Sequence, residues 1–196
     1  MSKPELTTKT NNEFQIRGVN HLALVCKDMR RTVDFYSGLL GMPLIKTIEL
    51  PNNMGQHFFL DMGNGDALAF FWFPNAPDAA PGVASAAHMP GSGELVTAHG
   101  SMNHIAFDIP AEHFDAAVAK LHEKGIATSP VLNHDDSPAQ VSREMYPGVF
   151  VRSIYFMDPD GILLEFASWT RVFSESDVSH RPATAEDAGL RLASVR

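Results

Sequence analysis

The sequence GVNHLAL at residues 18–24 recurs 83 residues later as SMNHIAF at residues 101–107. Each copy places an Asn-His pair before an alternation that is typical of a half-buried β-strand. A helical pattern follows each copy, and strand-like segments follow each helix. Because self-similarity at a fixed offset indicates repeated structural units, the sequence predicts two copies of one βαβββ module.

The two predicted helices have matching start and stop signals. In the first module Asp28 is suited to cap the N-terminus, and Gly41 stands where a left-handed residue ends a helix. In the second module Pro110 opens the helix and Gly125 closes it. The helix phase therefore agrees between the copies, as a duplicated unit requires.

Each module ends in a predicted hairpin. Strands at 58–62 and 67–73 flank the turn GNG at 63–65, and strands at 149–157 and 162–168 flank the turn DPDG at 158–161. These signals predict an α+β fold of paired βαβββ modules. The expected divisions are an N-terminal tail (1–17), a first module (18–73), a Pro-, Ala- and Gly-rich linker loop (74–100), a second module (101–168) and a C-terminal tail (169–196).

Composition excludes several classes of function. The 196 residues include 15 Lys and Arg against 23 Asp and Glu, a net charge of −8, with no basic cluster for nucleic acid or a membrane surface. The apolar run at 67–73 is too short to span a bilayer, and residues 1–12 lack a signal-peptide stretch, so we expect a soluble cytoplasmic protein. The single Cys26 allows no disulfide within the chain, so a metal would need His and carboxylate ligands.

Three polar residues interrupt apolar strands. Strand alternation places His21 and His104 on corresponding faces of the two modules, and each is followed two residues later by a small Ala. Glu165 lies in the apolar run ILLEFA, where a buried carboxylate needs a partner or a cation. The alternatives are two core imidazoles and an edge-strand Glu that faces solvent. If the three converge, two imidazoles and one carboxylate suit a non-heme Fe(II) site.

The sequence resembles the vicinal oxygen chelate superfamily, which includes glyoxalase I, fosfomycin-resistance transferases and extradiol ring-cleaving dioxygenases. The resemblance rests on the two Asn-His strand openings, on FYSGLLGM at 35–42 and on YFMDPDGILLE at 155–165. It implies that the paired modules form a curved mixed sheet with a metal-binding cleft. By the same resemblance His21, His104 and Glu165 are the metal ligands.

The resemblance also indicates a branch of the superfamily. Glyoxalase I takes a fourth ligand from the first module, where this chain has Ala69 or Phe70, and neither binds metal. Extradiol dioxygenases and fosfomycin-resistance transferases both fit a three-ligand site. The extradiol dioxygenases also share the spacing from Tyr155 through the turn to Glu165. This resemblance implies Fe(II), then Mn(II), with Zn, Ni or Co as other divalent candidates. It also implies that Tyr155 hydrogen-bonds the substrate, although an aromatic core residue would explain Tyr155 equally well.

Two features of the extradiol pattern are missing. The usual imidazoles near the metal are replaced here by YPG at 146–148 and by Asp66 or Gly65. Acid–base work would then fall to Asp66, Tyr155 or a loop imidazole such as His134, with His88 and His99 as further choices. Phe70, Phe71 and Trp72 are candidates for an apolar substrate pocket, and core packing is their alternative explanation.

These observations lead to one expectation and two alternatives. The first is a homodimeric extradiol-type dioxygenase that uses O2 to cleave a catechol-like aromatic. The second is a glyoxalase-type lyase or isomerase, or a transferase, that uses Zn, Ni, Co or Mn as a Lewis acid. The third is a metal-free protein that binds an aromatic ligand, against which the intact set of His21, His104 and Glu165 argues.

Overall fold

The computed structural model describes residues 5–9, 13–14, 16–185 and 187; the rest of both predicted tails, including 188–196, lies outside them. The first module contains β1 (His21–Val25), α1 (Met29–Val33), β2 (Leu44–Glu49), β3 (Gln56–Gly63) and β4 (Asp66–Trp72). The second module contains β5 (Ile105–Asp108), α2 (Phe114–Glu123), β6 (Leu132–His134), β7 (Val141–Ser142), β8 (Val151–Met157) and β9 (Leu163–Trp169).

Each module forms its own mixed sheet. The first sheet has the strand order β1-β4-β3-β2, and the second has the order β5-β9-β8-β6-β7. In both sheets the first strand of the module pairs in parallel with the last, and the remaining pairs are antiparallel. The predicted α+β class and the repeated topology are confirmed. The two sheets are separate, and β1 and β5 each lie at an edge.

The helices follow their predicted signals. The Asp28 carboxylate accepts the amide of Arg31 at 3.0 Å and caps α1. The helix then widens into a π-helical segment, Asp34–Leu39, and Gly41 follows with φ of 78°. Gly125 follows the end of α2 and has a φ of 71°, a backbone conformation that residues with a side chain disfavour. No helix among the described residues is long and apolar enough to span a membrane.

The hairpins place the last strands of each module. Gly63, Asn64 and Gly65 all adopt positive φ between β3 and β4. In the second module one Asp158 oxygen accepts the amides of Asp160 and Ile162, both at 2.8 Å, which fixes the turn before β9. The strand that carries Glu165 therefore begins at a defined position.

One apolar core joins the modules. It contains buried side chains from both sheets and both helices, among them Tyr36, Leu60, Phe70, Phe114, Ile154 and Phe156. The Tyr36 hydroxyl donates to the second oxygen of Asp158 at 3.1 Å, and the Lys27 amide donates to Asp160 at 3.0 Å. Helices and core cover one face of each sheet, so the opposite faces carry the candidate site.

Candidate metal centre

Strand alternation puts the repeated His residues on the sheet faces that point away from the core. In β1, Leu22 and Leu24 pack against the core, whereas His21 and Val25 are exposed. In β5, Ile105 is buried and Ala106 is exposed, and Ala106 pairs with Glu165 of β9. His104 precedes β5 by one residue and thus lies beside Glu165.

His104 and Glu165 form the centre of the site. The Nε2 atom of His104 lies 2.9 Å from a Glu165 carboxylate oxygen, and Glu165 is only 5% exposed. A carboxylate removed from water needs a partner of opposite charge. The pair thus supplies one nitrogen and one oxygen donor at a single point.

The Asn103 side chain fixes which nitrogen of His104 donates to it and which nitrogen faces Glu165. The Asn103 amide nitrogen donates to the Leu95 carbonyl at 2.6 Å, so its oxygen is the atom that faces His104 Nδ1 at 2.9 Å. An oxygen only accepts, so Nδ1 carries the proton and a neutral ring presents its lone pair at Nε2. A lone pair that faces a carboxylate needs a proton or a metal cation between them.

The spacing of the pair fits a metal ion. Two donors bound about 2.1 Å from one divalent ion at a right angle lie about 3 Å apart. The 2.9 Å separation of His104 Nε2 and the Glu165 oxygen matches that value. The donor types, one imidazole and one carboxylate, suit Fe, Mn or Zn.

His21 has the same local arrangement but does not reach this pair. Its Nδ1 lies 2.8 Å from the Asn20 side-chain oxygen, and its ring contacts the edge of Phe59 at 5.8 Å between centroids. Within the described part of the chain, no three His, Cys, Asp or Glu side chains are grouped so as to hold a metal ion. The structure thus brings together two of the three predicted ligands.

Tyr155 is the predicted catalytic residue that lies beside the pair. It is directly opposite Glu165 across β8 and β9, and its ring meets the His104 ring edge-on at 5.7 Å between centroids. Burial and the nearby Glu165 charge raise the pKa of the Tyr155 phenol. The phenol stays protonated at neutral pH and can donate a hydrogen bond.

The other predicted acid–base residues lie elsewhere. Asp66 adjoins Ala67, the partner of His21, so alternation turns it to the opposite face. His134 pairs with Val151, four residues along β8 from Tyr155, or about 13 Å at the rise of a strand. His88 and His99 are exposed in the linker.

The predicted aromatic pocket divides between two faces of β4. Phe70 is fully buried and its ring lies 4.9 Å from that of Tyr36, and Trp72 also packs on the core. Phe71 lies on the face of His21, stacked at 3.6 Å on His57. Because neighbouring strand residues alternate, only Phe71 of the three is placed to meet a substrate.

Sequence reasoning missed His57. Its ring lies between Phe71 and Phe59, 4.3 Å from the latter, on the face that carries His21. Burial lowers the pKa of His57, and the charge of His21 lowers it further. The predicted strand began at residue 58, but β3 begins at Gln56, and the spacing of His57 and Phe59 would have indicated their shared face.

The fourth ligand position of the first module has no side chain that can bind a metal. Ala69 is fully buried and lies in register with Ala23 and Phe59. None of these three side chains has a metal-binding atom. The first module therefore offers His21, and no carboxylate at this position.

Comparison with known proteins matches the sequence of this chain to a family. The sequence profile of the Glyoxalase/Bleomycin resistance protein/Dioxygenase superfamily matches residues 18–166. The chain is 25% identical over 150 residues to the uncharacterized protein YwkD of Bacillus subtilis (strain 168), covering 76% of this chain and 95% of that one. It is 24% identical over 157 residues to Glyoxylase I 4 of Arabidopsis thaliana, covering 80% and 74%.

A solved structure is similar to the same part of the chain. The glyoxalase family protein from Enterococcus faecalis is 26% identical, with a TM-score of 0.53, and the match covers 77% of this chain and 97% of that one. The similarity therefore extends over the region that contains both modules.

Proposed function

The chain belongs to the Glyoxalase/Bleomycin resistance protein/Dioxygenase superfamily, and from this premise we propose that it is a divalent-metal-dependent enzyme whose substrate presents two adjacent oxygen atoms. Members of this superfamily are mostly enzymes that depend on a divalent metal and act on small molecules. The observation that carries the proposal is the His104–Glu165 pair, in which the Nε2 atom of His104 lies 2.9 Å from an oxygen of a buried carboxylate.

His21 completes the site from a second copy of the chain. Alone, each chain offers His21 on one module and the His104–Glu165 pair on the other. The face of β1 that carries His21 also exposes Val25, which is 50% accessible. This apolar edge strand is therefore suited to pack against a second copy of the chain. In a twofold dimer each copy gives His21 to one site and the pair to the other.

The specific reaction that we propose is cleavage of a catechol-like ring by O2. His21, His104 and Glu165 would hold the ion, and Ala69 supplies no fourth ligand, so two substrate oxygens and O2 would have room to bind. A bound divalent ion would supply Lewis acidity toward a substrate hydroxyl, and Fe(II), or next Mn(II), would add redox chemistry. Tyr155 donates a hydrogen bond to a substrate oxygen. Phe71, Phe59 and His57 form the apolar wall for the ring.

A second candidate function uses the same site without O2. A Zn, Ni, Co or Mn ion would act as a Lewis acid on a vicinal diol, a hydroxyketone or a thiol adduct. The observation that favours it is the similarity to Glyoxylase I 4 of Arabidopsis thaliana. In this case the Glu165 carboxylate and the Tyr155 phenol are the groups placed to move or hold a proton.

The test is metal analysis of protein purified without oxygen and without a His tag, followed by O2 uptake on a panel of catechols. About one Fe or Mn per chain with ring-opening absorbance supports the dioxygenase. Bound Zn or Ni without O2 uptake favours the second candidate. Protein that neither retains nor rebinds a divalent metal contradicts both and leaves a protein that binds an aromatic ligand. Glu165→Gln, which deletes the charge at nearly constant volume, is the matched variant.

A further inference from the structure

A short part of the linker is built into the second module. Ser85 and Ala86 are buried, and the Ser85 hydroxyl accepts the amide of Leu163 and donates to the Asn103 carbonyl, both at 3.0 Å. The Ala86 amide donates to the same carbonyl at 3.2 Å. These bonds attach the linker to the starts of β5 and β9, the strands next to His104 and Glu165.

The attached segment lies on the face of the site. Ala86, which is fully buried, packs against Tyr155 and Leu163, and Met89 packs on the same small apolar cluster. Tyr155 is also the neighbour of His104 and Glu165. The linker therefore supplies the wall of the site on the Tyr155 side.

Asn103 connects this wall to the candidate ligand. Its side-chain oxygen lies 2.9 Å from His104 Nδ1, and its side-chain nitrogen donates to the Leu95 carbonyl at 2.6 Å. Its backbone carbonyl accepts the hydrogen bonds from Ser85 and Ala86. A planar amide cannot turn toward one of these partners without turning away from the other. The orientation of the His104 ring and the position of the linker are thus linked through one residue.

The repeat provides an internal comparison. Asn20 holds His21 Nδ1 at 2.8 Å in the same way, and its carbonyl accepts the amide of Ala67 on β4 at 3.0 Å. Among the described residues, its hydrogen bonds join only parts of the first module. The linker connection is therefore specific to the second copy of the Asn-His pair.

We propose that Asn103 is a positioning residue that couples metal binding at His104 to the order of the linker at residues 85–95 through its hydrogen bond to Leu95. The inference rests on the proposed metal site. A metal that holds His104 Nε2 fixes the ring, and the fixed ring favours the one amide orientation that also donates to Leu95.

The experiment measures amide hydrogen exchange of residues 85–95 in the full-length protein, with and without Mn²⁺, beside Mn²⁺ affinity. The key variant is Asn103→Asp, which keeps an oxygen for His104 Nδ1 and loses the donor to Leu95. Asn20→Asp is the matched control, because it makes the same chemical change at His21 without a linker bond. Asn103→Ala removes both contacts.

In the wild type, Mn²⁺ should slow exchange at residues 85–95 by about tenfold. Asn103→Asp should bind Mn²⁺ within about tenfold of wild type, yet its linker exchange should no longer respond to the metal. Asn20→Asp at saturating Mn²⁺ should keep the linker response. Asn103→Ala should lose the response and also weaken Mn²⁺ binding by about 10- to 100-fold.

Two results would overturn the coupling and are distinguishable. If the wild type binds Mn²⁺ but linker exchange does not change, or if Asn103→Asp responds as Asn20→Asp does, the coupling is wrong and the metal site stands. If the wild type binds no Mn²⁺, the proposed function fails and the coupling fails with it.

Discussion

At the scale of single residues, the two Asn-His pairs show how a neighbouring Asn orients each His that we propose as a metal ligand. Each Asn oxygen lies within 3 Å of Nδ1 of the following His, at 2.8 Å for His21 and 2.9 Å for His104. Both rings then present Nε2 on the face opposite the core. The repeated sequence therefore specifies two imidazoles whose Nδ1 atoms are each held by the preceding Asn.

Removing one of these imidazoles should remove the metal. We expect His104→Ala to lower divalent-metal affinity by at least about 100-fold, because it removes a proposed ligand that is also the partner of Glu165. The measurement is metal content after gel filtration, with circular dichroism to confirm the fold. His180→Ala is the control, since it removes an exposed imidazole in the C-terminal tail. Equal metal content in the folded His104→Ala protein would reject His104 as a ligand.

Adjacent aromatic residues of β4 should respond differently to truncation. Phe70→Ala should lower the free energy of unfolding by about 3–5 kcal/mol, because a fully buried ring leaves a cavity beside Tyr36. Phe71→Ala should cost about 1 kcal/mol, because Phe71 is only partly buried, and should mainly weaken substrate binding. Urea denaturation of both variants checks this; equal losses would show that the two side chains do not face opposite sides.

Residue patterns predicted the sheet faces that carry His21 and His104 but not every residue on those faces. Alternation placed His21 and His104 correctly because strands have a period of two. It did not say which face of the aromatic run 70–73 packs on the core, since aromatic side chains suit either face. His57 was missed because a strand start is fixed by its hydrogen-bond partner, Trp72 opposite Gln56, which lies far away in sequence.

At the scale of elements, a buried hydrogen bond joins the helical segment of the first module to the last hairpin of the second. The Tyr36 hydroxyl is fully buried and donates to Asp158, which also holds two amides of the turn. The bond therefore connects the helix after β1 to the strand that carries Glu165. Turn and cap residues made both elements predictable, whereas their contact spans 122 residues of sequence.

Tyr36→Phe should lower the free energy of unfolding by about 1–2 kcal/mol, because it leaves a buried Asp158 oxygen without its donor. Tyr146→Phe is the matched control, since it also removes a Tyr–Asp hydrogen bond, at 2.9 Å to Asp135, but within one module and on a residue that is 47% exposed. That change should cost less than Tyr36→Phe, because the Tyr146–Asp135 hydrogen bond is only partly buried and water can replace the lost donor. Similar losses in urea denaturation would contradict a special role for the contact between modules.

The pH dependence of stability should report Asp158. Burial raises its pKa above the ordinary 3.8, despite the hydrogen bonds that lower it. Just above pH 3.8 the folded protein keeps this proton while the unfolded chain loses it, so the contribution of Asp158 to stability falls as pH rises through this window. The unfolding free energy of wild type relative to Asp158→Asn should fall as the pH rises above about 3.8 toward the raised pKa of the folded protein. A rise over that range would contradict the sign.

At the scale of the whole molecule, the repeat predicted the modules but not their assembly. The Asn-His pairs and the turns indicated two βαβββ units, and the structure has two such sheets with β1 and β5 at their edges. Sequence alone suggested that both His residues and Glu165 meet in one chain. The structure brings only His104 and Glu165 together, because the shared core packs the modules through their other faces.

The most direct test of the shared site is metal content after co-expression of His21→Ala and His104→Ala chains. Each variant alone should retain no metal. If a site takes His21 from one copy and the His104–Glu165 pair from the other, half of the randomly formed dimers are mixed and each mixed dimer has one intact site. We therefore predict about one quarter of the wild-type metal content. A co-expressed preparation with no more metal than the separate variants would contradict the shared site.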